Sequence, residues 1–361
     1  TAWERCHGSI ARFEQEAESK AIRAEIPEYA SIHAHVLHDV LARLEKTFHA
    51  FFRRLANGQK PGFPRDQGRE RWHCFTDTES GNGARLDNGA LVLSKIGRSA
   101  VRWSRPSAGT IKTVTVSRAA DGWYVCCSCA GVPPQPLPLT GRATGIDVGL
   151  KVFLVTAEAE VVANPRPYRQ AEQRLQKAQR RVARRKRGST RRKKAVHLLR
   201  RTQQQVRRQR RDFHHKMALA LVRRYDVIYL EDLRVRNLRR SPEPQPDSNG
   251  GYRHTGAGAQ AGLNKSIHDA GWSAFRIILA CKAAWAGTRV EAVPPAYTSQ
   301  DCSGCGERVR KSLSVRTHVC PTCGLSVDRD ANAALNSQWR GQRLRGLAGV
   351  PAGVNREPTG L

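Results

Sequence analysis

Four cysteines toward the C-terminal end carry the plainest chemistry in this sequence. Cys302 and Cys305, then Cys320 and Cys323, form two CxxC pairs with 14 residues between them, inside DCSGCGERVRKSLSVRTHVCPTCG. Each pair can present two thiolates to one ion, and Gly306 and Gly324 follow where the chain must turn tightly. Four sulfurs complete a closed tetrahedral zinc site. No position is left for a substrate, so this zinc is structural. His318 could stand in for one cysteine but is not needed.

Three carboxylates suit a different metal. Asp147 lies between glycines in TGIDVGLKVFLVTA, Glu231 ends the apolar run of YDVIYLEDL, and Asp330 opens DRDANAALN. The first two segments read as buried strands and the third as a helix start. An acid among Ile146, Val148, Val152, Leu154 and Val155 needs a reason to be there, because a buried carboxylate must be compensated. Hard oxygen ligands at strand and helix ends favour Mg²⁺ or Mn²⁺. Two such ions about 4 Å apart can activate a water and stabilise the leaving oxygen in phosphodiester hydrolysis. Asp328 is the rival third acid and reads instead as a helix cap at the ribbon exit. Asn332 reads as a supporting polar group.

The elements around these residues must bring them together. The 361 residues suffice for two or three domains. A net charge of +31, from 62 basic against 31 acidic residues, implies a polyanionic partner. A membrane-surface role would want an amphipathic anchor or a lipidation signal, and neither is found. No apolar run reaches transmembrane length, and no secretory signal opens the chain. The close cysteine pairs point to metal in a reducing cytoplasm rather than to disulfides. The chain begins at Thr1 and its single methionine is Met217, so an upstream segment is expected.

Residues 32–56 predict an amphipathic helix with Leu37, Leu41, Leu44, Phe48, Phe51, Phe52 and Leu55 as its core stripe, ended by Asn57–Gly58. The stretch from Cys6 and Gly8 to Pro27 suggests another helix. From 58 to about 138 the pattern is of short strands: LVLS at 91–94, TIKTVTVSR at 110–118, and WYVCCSC at 123–129 across an AADG turn. Cys126, Cys127 and Cys129 alternate between strand faces, converge poorly on one ion, and read as structural. The Pro-rich GVPPQPLPLTG at 131–141 reads as a linker.

Between Ala171 and Arg211, 18 Lys or Arg residues face one acid, Glu172. Val196, Leu199, Gln203, Val206, Arg210, Phe213, Met217 and Ala220 keep a 3-4 spacing, as do Leu175, Ala178 and Val182 before Gly188–Ser189. This predicts two antiparallel helices with a narrow seam, which Gln203 and Arg210 weaken. Their basic outer faces offer Arg180, Arg181, Arg184, Arg185, Lys186, Arg187, Arg191, Arg192, Lys193, Arg207 and Arg208 to phosphates. His214 and His215 lie beside the seam and read as packing or phosphate contacts. Residues 240–262 read as a mobile loop. LNKSIHDAGWSAFRIILACKAAWAG reads as helix up to Gly287, with Cys281 in the core, and RVEAVPPA as a further strand.

GIDVGLKVF, QRRDFHHK, VIYLEDL, KSIHDAGW, TSQDCSGCG, CPTCG and DRDANAALN occur in this order. Together they resemble the TnpB family, OrfB-type transposon-encoded proteins related to compact CRISPR effector nucleases. The resemblance runs from about Ala30 to Asn336. It implies an α/β architecture: a RuvC-type RNase H fold with an inserted basic helical hairpin and a zinc ribbon. A helical recognition segment would occupy 1–57 and a β-rich wedge domain 58–140. The nuclease would span 141–299, with the basic hairpin at 168–224. The ribbon would span 300–325, the closing nuclease helix 326–340 and a disordered tail 341–361.

The resemblance implies an RNA-guided DNA endonuclease whose partners are a guide RNA and target DNA. Its cofactors would be structural Zn²⁺ and catalytic Mg²⁺ or Mn²⁺, and its catalytic acids would fall on Asp147, Glu231 and Asp330. The family's opening strand and helix are expected ahead of Thr1. The location implied is the prokaryotic cytoplasm, at the nucleoid, with no membrane partner. Two other readings compete. A guided or general DNA-binding regulator that does not cut would be expected to have lost one of the acids. A transposition accessory protein or strand-transfer enzyme would want a Tyr or Ser nucleophile motif, and none stands out.

Overall fold

Helices lead the chain, as the early apolar periodicity predicts: α1 is Arg12–Glu25, α2 Pro27–Ala30 and α3 Ala34–Ala56. The computed structural model describes residues 11–65, 67–68, 72–247, 251–312 and 314–346, so Cys6 and Gly8 lie outside the described residues. Two compact units result, divided between Pro133 and Pro134.

In the first unit, six strands follow the helices: β1 Cys74–Asp77, β2 Ala84–Asp87, β3 Ala90–Leu93, β4 Gly97–Ala100, β5 Thr110–Arg118 and β6 Trp123–Ala130. They form two antiparallel sheets, β1-β5-β6 and β2-β3-β4, around Ala84, Leu91, Leu93, Val114 and Val116. The Ala119 amide donates to the Gly122 carbonyl at 2.8 Å and closes the β5–β6 hairpin where the sequence predicts a turn. Cys126 is exposed, while Cys127 and Cys129 are half-buried.

The stripe on α3 is not the sealed core its spacing predicts. No residue of α3 is fully buried, and Phe52 is 58% exposed. The sheets are too short to cover the helix. Its first half docks on β1, where Arg43 donates to the Thr76 hydroxyl at 2.8 Å. Farther along, Phe48 and Phe51 gather Phe63 onto the helix rather than a sheet.

The second unit is built on a five-stranded sheet. Its strands are β7 Ala143–Val148, β8 Val152–Thr156, β9 Val161–Ala163, β10 Val227–Glu231 and β11 Arg289–Val293, in the order β11-β10-β7-β8-β9. β7, β10 and β11 run parallel; β8 returns antiparallel to β7, and β9 pairs antiparallel with β8 and so runs in the direction of β7. The helices between them are α4 Pro167–Ala183, α5 Thr190–Arg224, α6 Val235–Leu238, α7 Ala257–Ala270 and α8 Trp272–Ala286. A short ribbon, β12 Thr317–Val319 and β13 Ser326–Asp328, leads into the last helix, α9 Arg329–Leu344.

Parity along the strands assigns the two faces of this sheet. Ile146, Ile228 and Leu230 join Phe153, Leu221, Tyr225, Phe275 and Leu279 in a core shared with α5 and α8. The alternate residues, Gly145 and Tyr229, meet α9 instead.

Helix α5 is continuous for 35 residues, about 52 Å. Only its first half pairs with α4, through Ala171, Leu175, Leu199 and Val206; its second half enters the sheet core. The seam drifts accordingly. Ala195, Thr202, Gln204, Ala218 and Leu221 are buried, while Gln203 and Ala220 are exposed. A heptad spacing falls about 20° behind a straight helix in each repeat, and here the packing partner changes midway. Arg210 does not weaken the seam as expected; it donates to the Asp269 carbonyl at 2.8 Å.

Other expectations also shift. The stretch 240–262 is not one loop, because α7 already begins at Ala257. The predicted single helix to Gly287 is broken at Gly271, whose φ of +67° ends α7 and starts α8. A Cβ at Gly271 would come within 3.1 Å of His214, which is buried and hydrogen-bonds the Ala270 carbonyl at 2.9 Å. Cys281 is exposed on α8, not in the core. Helix α9 continues through Gly341 to Leu344, where a disordered tail is expected; 347–361 lie outside the described residues. Among the described residues, no helix is long and apolar enough to cross a membrane.

Candidate carboxylate site and the cysteine ribbon

Asp147 and Glu231 end up on neighbouring parallel strands. The β7–β10 register pairs Ile146 with Leu230, so the two acids follow at the next position on each strand. Both therefore stand at the C-terminal edge of the parallel part of the sheet. Asp330 arrives from α9. Along that helix, Asp330, Ala334 and Gly341 are spaced four and seven apart and share one face. Ala334 meets Gly145, and Gly341 meets Tyr229, so this is the face against the sheet. Gly145 and Asp147 in turn share one side of β7. Asp330 is one helical turn ahead of Ala334, on the side toward Asp147.

Electrostatics agree with this placement. Burial raises the Asp147 carboxyl well above its ordinary pKa, and the charges of Glu231 and Asp330 raise it further; Arg329 and Arg316 pull the other way. Burial also raises Glu231, against a hydrogen bond from the Thr298 hydroxyl and the charge of Arg340. Asp330 is itself buried and pairs with the Arg316 guanidinium, while Arg329 lies 3.6 Å away. The three acids do not close to within 4.8 Å of one another at their oxygens, as two other groups among the described residues do. The arginines on Asp330 and the hydroxyl on Glu231 take up part of their charge. An all-oxygen set of this kind fits Mg²⁺ or Mn²⁺.

The four cysteines do converge. The Sγ atoms of Cys302 and Cys323 are 3.6 Å apart, as are those of Cys305 and Cys320. Two thiolates bound at about 2.3 Å to a tetrahedral ion would stand about 3.8 Å apart, so the cage is of zinc size. Gly306 and Gly324 take φ values of +84° and +72° after each knuckle, as the spacing predicts. Burial works to raise the Cys320 thiol, but the amides of Cys323 and Thr322 and the neighbouring thiols outweigh it and lower the pKa to about 6. His318 is buried beside Lys311 and is not one of the four ligands.

One face of α9 straps this ribbon to the sheet. The Asn332 amide donates to the Asp301 carbonyl at 2.8 Å and its oxygen accepts from the Ser303 amide at 2.9 Å. Asn336 donates to the Thr298 carbonyl at 2.8 Å and also to Asp301. One turn on, Arg340 donates to the carbonyls of Pro294 and Ala296 and to the Asp301 carboxylate. Asp328 is the helix cap, accepting from the Asp330 and Ala331 amides. Asn332 thus holds the ribbon to α9. Asn336, Arg340, Thr298 and Arg316 do not stand out in the sequence. The 4-residue spacing of Asn332, Asn336 and Arg340 was the available signal for the first two.

The basic residues occupy the far end of α4 and α5. Lys177, Arg180, Arg181 and Arg184 line a cleft of about 720 Å³ together with Arg185, Lys186, Ser189 and Arg191. Arg180, Arg181, Arg184, Lys186, Arg187, Arg191, Lys193, Arg207 and Arg208 are exposed. Arg192 differs: it donates to the carbonyls of Val182 and Arg185 and ties the hairpin tip. The hairpin is held at its base by Asp269, which accepts from the Tyr168 and Arg169 amides at the start of α4.

Residues 125–241 match the OrfB_IS605 family, described as "Probable transposase", and residues 272–337 match the Cas12f1-like TNB domain. The chain is 31% identical over 306 residues to "Putative RNA-guided DNA endonuclease InsQ" of Escherichia coli strain K12, covering 83% of this chain and 72% of that protein. It is 33% identical over 307 residues to a "Putative RNA-guided DNA endonuclease" of Streptomyces pristinaespiralis, covering 83% and 69%. This chain belongs to the OrfB-type TnpB family. A solved Cas12f1 complex with single-guide RNA and target DNA aligns over 93% of this chain and 87% of that one, at 15% identity and a TM-score of 0.38, too low to carry an argument.

Proposed function

We propose that this chain is an RNA-guided DNA endonuclease that cuts at a single RuvC-like site formed by Asp147, Glu231 and Asp330. The observation that carries the reading is that Asp147 and Glu231 end adjacent parallel strands beside the face of α9 that bears Asp330. The strand order, with β8 alone running against four strands of one direction, supports an RNase H-type sheet. The relatives' names support the guided reaction.

In this reading Asp147, Glu231 and Asp330 hold Mg²⁺ or Mn²⁺, which supplies charge stabilisation for two-metal phosphodiester hydrolysis. Arg316, paired with Asp330, brings positive charge to the point where a scissile phosphate must be held. Thr298 orients the Glu231 carboxylate. The cysteine ribbon, holding Zn²⁺, fixes Arg316 and Asp301 relative to α9. The basic cleft between α4 and α5 takes the phosphates of guide RNA or of its duplex with target DNA. The 1–57 and 58–140 stretches serve as recognition segment and wedge, beside a nuclease of 141–299 and 326–340 and a ribbon of 300–325.

The test is to purify the chain from its own host and sequence the RNA that accompanies it. A discrete RNA with a variable end supplies a guide for a Mg²⁺-dependent cleavage assay on a matching plasmid. Cleavage that Asp147→Ala and Asp330→Ala both abolish, with RNA retained, supports the reading. Cleavage by purified Asp330→Ala would sink the assignment of that residue. Bound guide and target without cleavage would favour the regulator.

A further inference from the structure

A second group of metal-ligating side chains lies in the first unit, outside the proposed nuclease machinery. His33 is the residue before α3, His35 stands in its first turn, and Asp77 ends β1. Their candidate ligand atoms all lie within 4.8 Å of one another. The Asp77 side chain is 3% exposed, and those of His33 and His35 are 16% and 17% exposed. A carboxylate so deeply buried demands a compensating positive charge.

The distances are longer than those of a directly hydrogen-bonded cluster. His33 Nδ1 lies 3.4 Å from Asp77 Oδ2, and His35 Nδ1 lies 3.6 Å from Asp77 Oδ1. Both nitrogens are buried and neither makes a hydrogen bond. An N–H···O bond would draw them to about 2.7–3.2 Å. Across a tetrahedral ion, with metal–nitrogen and metal–oxygen lengths of about 2.0–2.2 Å, the separation is about 3.4 Å.

The surroundings are those of a metal site too. The other nitrogen of the His35 ring, Nε2, lies 3.2 Å from the Glu79 carboxylate. An imidazole that binds metal through one nitrogen usually donates its other N–H to a carboxylate in this way. Asp77 Oδ1 accepts from the Glu79 amide at 3.1 Å, which leaves Oδ2 turned toward His33. Gly83 passes directly over this pair: a Cβ there would fall 1.7 Å from Asp77 Oδ2 and 2.6 Å from His33 Nδ1.

We propose that His33, His35 and Asp77 bind a divalent transition metal, zinc by its donor set, that pins the start of α3 to the end of β1. Two imidazole nitrogens and one carboxylate oxygen are a borderline set that prefers such ions over Mg²⁺. Glu79 orients His35. Asp77 supplies the negative charge that a cation beside a helix N-terminus needs. The site is separate from the cysteine cage and holds its ion whether or not the chain cuts DNA.

Co²⁺ is the probe that separates the two sites. The full chain carrying Asp147→Ala and Asp330→Ala, so that the proposed nuclease site takes up no Co²⁺, is stripped of metal under reducing conditions and titrated with Co²⁺, its visible spectrum followed and zinc content measured in parallel after equilibration with Zn²⁺. Two equivalents are expected: one with strong thiolate charge-transfer bands, one with weaker nitrogen–oxygen bands only. The second should vanish in His33→Gln/His35→Gln, leaving the thiolate bands unchanged. Glu79→Gln, at an exposed position, should keep both equivalents but weaken the second about 10–100-fold. One equivalent in that chain with His33 and His35 intact, bearing only thiolate bands, overturns the proposal. So does a second equivalent that persists in a folded His33→Gln/His35→Gln chain.

Discussion

Gly145 and Ala334 meet backbone to backbone: a Cβ on Gly145 would come to 1.9 Å from the Ala334 carbonyl oxygen and 2.7 Å from the Gln338 amide. The same helix contributes the reciprocal case, since a Cβ on Gly341 would strike the Tyr229 ring at 1.9 Å. One glycine from β7 and one from α9 thus set how closely the helix carrying Asp330 lies on the strands carrying Asp147 and Glu231.

Gly145→Ala and Gly341→Ala should therefore each destabilise the second unit by about 2–3 kcal/mol, because the obstacle is backbone or a packed ring rather than a flexible side-chain end. Cleavage should fall with them, although neither residue can do chemistry. Gly258→Ala is the control. Nothing lies within 4 Å of its added Cβ, and it sits near the start of α7, so it should be neutral or stabilising by up to about 1 kcal/mol. Denaturant unfolding of the three variants decides this.

Asp147→Asn should raise the stability of the metal-free chain while removing cleavage. The native Asp147 pKa is raised by burial, Glu231 and Asp330. A group raised in this way contributes stability that is present below its unfolded pKa, about 3.9, and is lost as pH rises through the native value. In metal-free buffer the unaltered chain should thus lose stability over that window, and Asp147→Asn should flatten the loss, leaving the variant the more stable at pH 8. Adding Mg²⁺ should stabilise the unaltered chain more than the variant. Thermal unfolding against pH, with and without Mg²⁺, measures both effects.

Much of this site was legible in the residues, for physical reasons that differ from case to case. The cysteine pairs were legible because metal geometry constrains local spacing. Asp147 and Glu231 were legible because an acid at the end of an apolar strand is conspicuous. Asp328 was separable from Asp330 because a cap must precede its helix. The α5 seam was only half legible: periodicity reveals an apolar face but not that the partner changes from α4 to the sheet along one helix. Cys281 was misplaced because an apolar helical stretch does not say which side is covered. Arg316, Thr298 and Arg340 act across gaps of 14, 67 and 39 residues to Asp330, Glu231 and Asp301, and only the fold closes such distances.

Asn332→Ala should loosen the ribbon without touching its metal ligands. It strips the Ser303 amide and the Asp301 carbonyl of buried partners, which costs about 1–3 kcal/mol for each group left unpaired. Asn336 also reaches Asp301, so the carbonyl loss is partly covered and the Ser303 amide should respond most. Hydrogen exchange should accelerate at Ser303 and nearby amides while zinc stays at the cysteine cage. Chelation of that zinc should release the whole 302–323 segment, a broader change than Asn332→Ala produces.

The basic hairpin offers a test in which two kinds of arginine part company. Arg180, Arg181 and Arg184 line the cleft and are exposed, so their replacement by Gln should leave the fold intact. For every phosphate that goes unneutralised, the slope of log affinity against log salt should shrink by about 0.7–0.9, and RNA or DNA binding should weaken most at low salt. Arg192 belongs to the same charge run but spends its guanidinium on the carbonyls of Val182 and Arg185 at 2.6 and 3.0 Å. Arg192→Gln should therefore lower the stability of the hairpin tip and change the salt slope little. Nucleic-acid titrations at several salt concentrations, beside hydrogen exchange across residues 182–192, separate the two. Equal salt slopes for Arg192→Gln and Arg181→Gln would mean that charge density alone, and not the placement of each side chain, governs binding at this hairpin.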